Sequence, residues 1–249
     1  MSITPAGAGN QSLARGLQML RILADDGPLT ATELGARLGI HQSSASRGLA
    51  ALIEAGYVRK DDHGRFECSY GVLGLADSVS RLPLVKRLRA GARKIIERYP
   101  DVTIAVCMLW RQDVLHLARA RTGQLSLWNG GWPLNVSTPG LRLLAELPDD
   151  EAVAILDRSR ERVGWGGRPG QVPETAAETI TLARKMITDE VLLVDGWWRP
   201  HHATGAILVR TPEPAPVSLA VVDEAGDLDP TEHKLLLHRI RRDLEAHLN

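Results

Sequence analysis

The chain has 249 residues, 44% of them hydrophobic, and its 30 basic side chains balance 30 acidic ones. This is a globular composition long enough for one large domain or two modest ones. It excludes a membrane span, because no apolar run approaches the ~20 residues required. The neutral total decides nothing about nucleic acid, since a binder needs only a local basic face.

The opening "MSITPAGAGNQ", residues 1–11, reads as a flexible tail without the charged-then-apolar order of a secretion signal. Two cysteines, Cys68 and Cys107, make neither a disulfide framework nor a zinc constellation, so a reducing cytoplasm is expected. "SLARGLQMLRILA" then places Leu13, Leu17, Leu20 and Leu23 at helical spacing before Gly27-Pro28 ends the run. Thr30 caps a second short helix, with Glu33 completing a capping box. Leu34 and Leu38 form its inward stripe, and Gly39 ends it at a left-handed turn position. A third helix follows in "GIHQSSASRGL", with Ala45, Leu49, Leu52 and Ile53 inward, until Gly56 stops it. "YVRK" and "RFECSY" flank an Asp-Asp-His-Gly turn and read as a β-hairpin. Three helices with a tight turn before the third, then a hairpin, describe a winged helix-turn-helix over residues 12–71.

Residues 72–99 read as two helices broken near Pro83, the first a linker over 72–83. Residues 81–99 carry seven basic side chains against Glu97 alone. That run extends a nucleic-acid footprint, meets acidic neighbours across a dimer, or solvates a helix; the last two are favoured. From 84 onward the pattern changes. "VTIAVCMLW", "DVLHLARA", "TGAILVR" and "PVSLAVVD" are β-rich runs. "STPGLRLLAEL", "DDEAVAILDRS" and "ETAAETITLARKMI" read as helices, the first two with Ser/Thr or Asp caps. A long amphipathic helix closes the chain. The fold class is α+β, the second domain spanning 84–249 on a central antiparallel or mixed sheet.

This order resembles the IclR family of bacterial transcription regulators: a winged helix, a linker helix and a GAF-like effector domain. The resemblance runs from Ser12 onward and is clearest across the first three helices and the hairpin. A second match is "WPLNVSTPGLRLLAELPDDE", similar to the family's segment beside the ligand pocket, with Pro133, Leu134, Ser137, Gly140, Leu144, Ala145, Leu147 and Pro148 in pattern. Asn135 stands where histidine is common and Leu141 where lysine is common. In "HATGAILVR" and "PVSLAVVD", Ala203, Thr204 and Ser218 stand where the family often places polar groups for a small organic acid.

A recognition helix meets base edges mainly through its N-terminal residues. Here those are His41, Gln42, Ser43, Ser44, Ser46 and Arg47. Gln42 suits adenine; Arg47 suits guanine or a phosphate. The serine hydroxyls donate and accept without bulk, or merely cap and solvate the helix. Arg59, Lys60 and Arg65, with His63, surround the wing turn as candidate phosphate contacts, among Asp61 and Asp62, which repel phosphate. Arg15 is a candidate backbone contact.

All six tryptophans fall in the second domain, where they line an aromatic pocket or fill a core that has no phenylalanine. The resemblance implies an effector, a small organic acid or aromatic compound. Its candidate contacts are Trp128, Trp132, Ser137, Thr138, Gly140, His202, Thr204 and Ser218. "GWGGRPG", residues 164–170, reads as a mobile loop without the context of a phosphate cradle. His201 and His202, adjacent on a strand, point to opposite faces and do not share a metal ion. No cofactor is expected and no enzymatic signature appears. The resulting expectation is a homodimeric or tetrameric regulator of a (pseudo)palindromic operator, controlled by a small molecule. A second domain that only oligomerises, or an enzyme carrying an accessory winged helix, are the alternatives.

Overall fold

The computed structural model describes residues 8–110, 113–121, 124–126, 132–212 and 214–248. Residues 1–7 of the expected tail and Trp128 lie outside this set. The chain divides into two compact units, Met1–Arg81 and Leu82–Asn249. Among the described residues no helix is long and apolar enough to cross a membrane.

In the first unit, α1 (Ala8–Asp26) begins four residues inside the expected tail. Its buried face is Met19 and Leu23, whereas Leu13 and Leu17 are 64% and 59% exposed. Helix α2 (Ala31–Leu38) opens on the expected box: the Thr30 hydroxyl accepts from the Glu33 amide at 3.2 Å, and the Glu33 carboxylate accepts from the Thr30 amide at 2.7 Å. These bonds, the Thr30 amide's first, hold the Glu33 carboxyl below its usual range. Thr30→Ala is therefore expected to cost about 1 kcal/mol in this unit's urea unfolding. Gly39 takes the left-handed conformation, φ 62°, which returns the chain for α3 (Gln42–Glu54). Ala45 and Leu49 are fully buried there, but Leu52 is half-buried and Ile53 is 40% exposed, against expectation.

Strands β1 (Val58–Lys60) and β2 (Phe66–Cys68) pair antiparallel. Leu29 exchanges two backbone hydrogen bonds with Phe66, tying the hairpin to the loop before α2. Helix α4 (Gly71–Ser80), the expected linker, falls within this unit and buries no residue.

In the second unit, α5 (Pro83–Arg98) opens with proline at its first turn, where no amide partner is lost. The described strands form one seven-stranded sheet in the order β5-β4-β3-β9-β8-β7-β6. They are β3 (Thr103–Trp110), β4 (Asp113–Arg121), β5 (Gln124–Ser126), β6 (Ile187–Thr188), β7 (Val191–Asp195), β8 (Ala203–Val209) and β9 (Val217–Asp223). Every neighbouring pair is antiparallel. Helices cover both faces, which is why the central strands read as continuous apolar runs. Helix α5 and α9 (Pro230–Glu245) close one face over Leu88, Ile95, Ile104, Val106, Leu219 and Leu237. Thus α5 is a core element whose basic residues lie opposite its buried stripe. Helices α6 (Thr138–Leu144), α7 (Asp149–Val163) and α8 (Ala176–Met186) cover the other face. Ser137 caps α6 as expected, but Pro148 stands at the α7 cap, and Asp149 pairs instead with Arg184 of α8.

Candidate DNA-reading face and ligand pocket

Helix α3 buries Ala45 and Leu49 against α1 and α2, so its polar edge faces outward. His41, Gln42, Ser43, Ser46 and Arg47 are exposed and Ser44 is partly so. Among the described residues, Arg47 hydrogen-bonds only to Ser44 Oγ, at 3.5 Å. None of the three serines caps the helix. His41 occupies the cap and makes no side-chain bond there, so the first amides of α3 face outward with no side-chain acceptor of their own. Gly48 packs against α1: a Cβ there would sit 2.7 Å from Met19 Sδ, so the flexible Met19 side chain would have to shift. The helix-weakening glycine thus belongs to the α1 contact and the serines to the exposed edge.

The wing cations divide differently from expectation. Arg59 is engaged by Glu67, with Nε and Nη2 2.8 and 2.7 Å from its carboxylate, and lies over the Tyr70 ring. Arg65 leans toward Glu33, at 3.7 Å. Asp61 accepts the amides of His63 and Arg65, so its carboxylate shapes the turn. Lys60, 5.2 Å from the Phe66 ring, makes no ion pair among the described residues. Arg15 is exposed on α1.

The second unit holds a cavity of about 170 Å³ on the sheet face covered by α6. Its floor comes from a row of alanines: Ala105 on β3 pairs with Ala220 on β9, which pairs with Ala206 on β8. Ala105 and Ala220 line the cavity directly, with Thr204 and Val222 beside them. The short side chains leave between sheet and helix the room that larger residues would fill. One wall is Val136, Ser137, Thr138 and Pro139, leading into α6; the other is Val194, Trp197 and Trp198. Trp132 closes against Trp198 with ring centroids 4.2 Å apart.

Among the described residues, the charged and titratable lining groups are Arg119, Arg199, His116 and His202, with no carboxylate among them. Residues three apart on a regular strand face opposite sides of the sheet. A β-bulge overrides this on β4: Val106 pairs with Ala118, but Cys107 pairs with His116, leaving Leu117 extra. The bulge puts both His116 and Arg119 on the pocket face. Burial, reinforced by Arg119, pushes the His116 imidazole down to about 4. Burial and then Arg199 also lower His202. Both imidazoles are neutral at pH 7, and the guanidiniums carry the charge.

Of the expected effector contacts, Trp132, Ser137, Thr138, His202 and Thr204 line this cavity. Gly140 and Ser218 do not. Ser218 is fully buried and donates to the Pro139 carbonyl at 3.0 Å, while a Cβ on Gly140 would sit 2.4 Å from Leu134. Both hold the start of α6 in place. His201 and His202 precede β8 rather than lying on a strand; His201 has φ 55° and is exposed, and only His202 faces the cavity. No metal-ligating cluster occurs among the described residues.

Residues 12–62, which contain α2, α3, the β1 strand and most of α1, match the family model for the IclR helix-turn-helix domain. Residues 12–62 are an IclR-type helix-turn-helix domain. An HTH-type transcriptional regulator of Mycobacterium tuberculosis, Rv1719, is 29% identical over 196 residues, covering 76% of this chain and 70% of that one. The fold is that of solved IclR structures. A family regulator from Brucella abortus superposes with a TM-score of 0.76 at 21% identity, covering both chains completely. An IclR homologue from Microbacterium hydrocarbonoxydans, crystallised with 4-hydroxybenzoate, gives 0.65 at 18% identity over 95% and 98% of the two chains.

Of the residues lining the cavity, the sequence pattern did not mark Arg119, His116, Trp197, Trp198 and Arg199. The tryptophan pair was visible as a motif, but nothing in "DVLHLARA" marks the bulge that turns two cationic groups toward one cavity.

Proposed function

We propose that this chain is an IclR-family regulator that binds a (pseudo)palindromic operator as a dimer or tetramer and changes its DNA affinity when a small aromatic acid occupies the cavity. Gln42, the serines, Arg47 and His41 read or grip the major groove, and Lys60 supplies the main wing contact to phosphate. Arg15 adds a backbone contact; Arg59 and Arg65 contribute only after leaving Glu67 and Glu33.

The observation that carries the effector reading is the cavity lining among the described residues: three tryptophans, two guanidiniums and no carboxylate. Aromatic walls alone would also suit an organic cation. Arg119 and Arg199 repel one, so the electrostatics select an anion. An apolar cavity of about 150 Å³ accepts benzene; a volume of 170 Å³ therefore admits one ring with a small acidic substituent. The homologue crystallised with 4-hydroxybenzoate supports this class. Trp128, beside this segment in sequence, is retained as a candidate contact.

Self-association is supported by unpartnered apolar side chains in the DNA-binding unit. Leu73, Leu75 and Val79 of α4 are 65%, 50% and 50% exposed, alongside the exposed Leu13 and Leu17 of α1. Dimerisation would cover such surface and match two recognition helices to two half-sites.

The test is a duplex selected by the full chain from a random pool, titrated with protein by fluorescence anisotropy with and without 4-hydroxybenzoate, benzoate and benzylammonium. The acids are expected to shift operator affinity at least fivefold and to raise the second unit's melting temperature, the cation to do neither. Operator affinity and melting temperature indifferent to every acid would mean that the second unit only oligomerises.

A further inference from the structure

Residues 164–170, "GWGGRPG", were expected to be a mobile loop, but their backbone is bonded to both walls of the cavity. Asn135, fully buried in the 3-10 turn Leu134–Val136, donates from Nδ2 to the Gly166 carbonyl at 2.8 Å and accepts at Oδ1 from the Gly166 amide at 3.0 Å. One primary amide thereby satisfies both backbone groups of a single residue, as a neighbouring strand would. Two residues on, the Arg168 amide donates to the Trp197 carbonyl at 2.9 Å, and Arg168 Nη1 donates to the Gly196 carbonyl at 3.3 Å. The glycines make this close fit possible. A Cβ on Gly166 would lie 3.0 Å from Pro133 and Val136; one on Gly167, where φ is +107°, would lie 2.3 Å from Val172. Val136 and Trp197, the residues flanking these bonds, line opposite walls of the cavity.

We infer that Asn135 is a positioning residue for ligand binding: through Gly166 and Arg168 it sets the separation between the Val136–Ser137 wall and the Trp197–Trp198 wall. Asn135 and Arg168 stand behind the walls and are not lining residues. The strut fixes the slot into which a planar ring slides, and Trp132 against Trp198 is its second point of closure. Preorganisation of this kind raises affinity because binding need not order the walls. The inference rests on the effector reading above for its ligand, but not for its geometry.

The test uses the full chain, with 4-hydroxybenzoate as probe, and compares wild type with Asn135→Ala. Three quantities are measured: probe affinity by calorimetry, acrylamide quenching of tryptophan emission, and operator affinity without probe. The expected result for the variant is a probe affinity at least tenfold weaker and stronger quenching, with probe-free operator affinity within twofold of wild type. A folded variant with unchanged quenching and probe affinity overturns the inference. Should Asn135→Ala not fold, Arg168→Ala carries the test, because it removes only the bond to Gly196 from a partly exposed side chain. About threefold weaker probe binding is then expected, and no change overturns the inference. A wild type that does not bind 4-hydroxybenzoate refutes the ligand class alone; quenching of the variant then decides the strut by itself.

Discussion

Arg47→Ala is expected to weaken operator binding about 5- to 150-fold, the loss that accompanies removal of a 1–3 kcal/mol bidentate base contact. Arg47 is exposed on the polar edge of α3, and its one side-chain hydrogen bond among the described residues is to Ser44 Oγ, at 3.5 Å. Thermal stability is therefore expected to stay within about 0.5 kcal/mol of wild type, as for surface changes generally. Anisotropy titrations on the selected operator and on a scrambled duplex separate two modes. A guanine contact is lost on the operator alone, whereas a phosphate contact weakens both duplexes and lowers the salt slope by about one. Arg59→Ala is the internal comparison, since Glu67 already holds that guanidinium. It is expected to change affinity less than threefold. Equal affinities for wild type and Arg47→Ala would remove α3 from the role of recognition helix.

The second large effect is on stability against acid. His116 holds an imidazole pushed down to about 4 by burial and Arg119. The buried His233 is also lowered, by burial; its Nε2 lies 3.1 Å from the Val221 carbonyl, and its Nδ1 has no partner among the described residues. Well above pH 6.5 these groups are neutral in both the folded and unfolded chain and contribute almost no pH dependence. Below 6.5 the unfolded chain takes up protons that the folded chain refuses, so stability falls as pH drops from 6.5 toward 4. For His116 alone the loss is on the order of 3 kcal/mol by pH 4, taking 1.36 kcal/mol per pH unit. Glu33, Glu190 and Asp229 are held below their usual range by hydrogen bonds, so their losses come later, below their ordinary carboxylate range. The check is a urea midpoint series from pH 7.5 to 4. His116→Gln is expected to flatten the upper part of the curve, and an equally steep curve in that variant would refute the assignment. An anionic ligand beside His116 is expected to oppose the loss by stabilising the protonated ring.

The DNA-binding unit was legible to a depth the second unit was not, for a physical reason. In residues 12–71 structure is set by local rules: the Thr30–Glu33 box, the left-handed Gly39 and the hairpin turn each act within about four residues. The burial pattern was less legible. Leu13, Leu17 and Ile53 fit the helical stripe and are exposed, because the small unit has no further element to cover them. In the second unit the helices and strands could be read, but the cavity arises from residues far apart in the chain. Ala105, Ala206 and Ala220 look like ordinary strand alanines until three strands align them.

Local patterns in the chain dictate that three helices and a wing form, that α3 presents Gln42, three serines and Arg47 outward, and that β-rich runs build a sheet between helices. Periodicity and capping are short-range, and they carry that information. Packing between distant segments sets what the serine-rich helix rests on, with Met19 lying across Gly48. It also dictates that Arg59 and Arg65 are held by Glu67 and Glu33, and that a bulge at Leu117 turns His116 and Arg119 into one cavity. It alone ties the 164–170 loop to Asn135. Each of these depends on pairing register or on contact between distant segments, which no local pattern encodes.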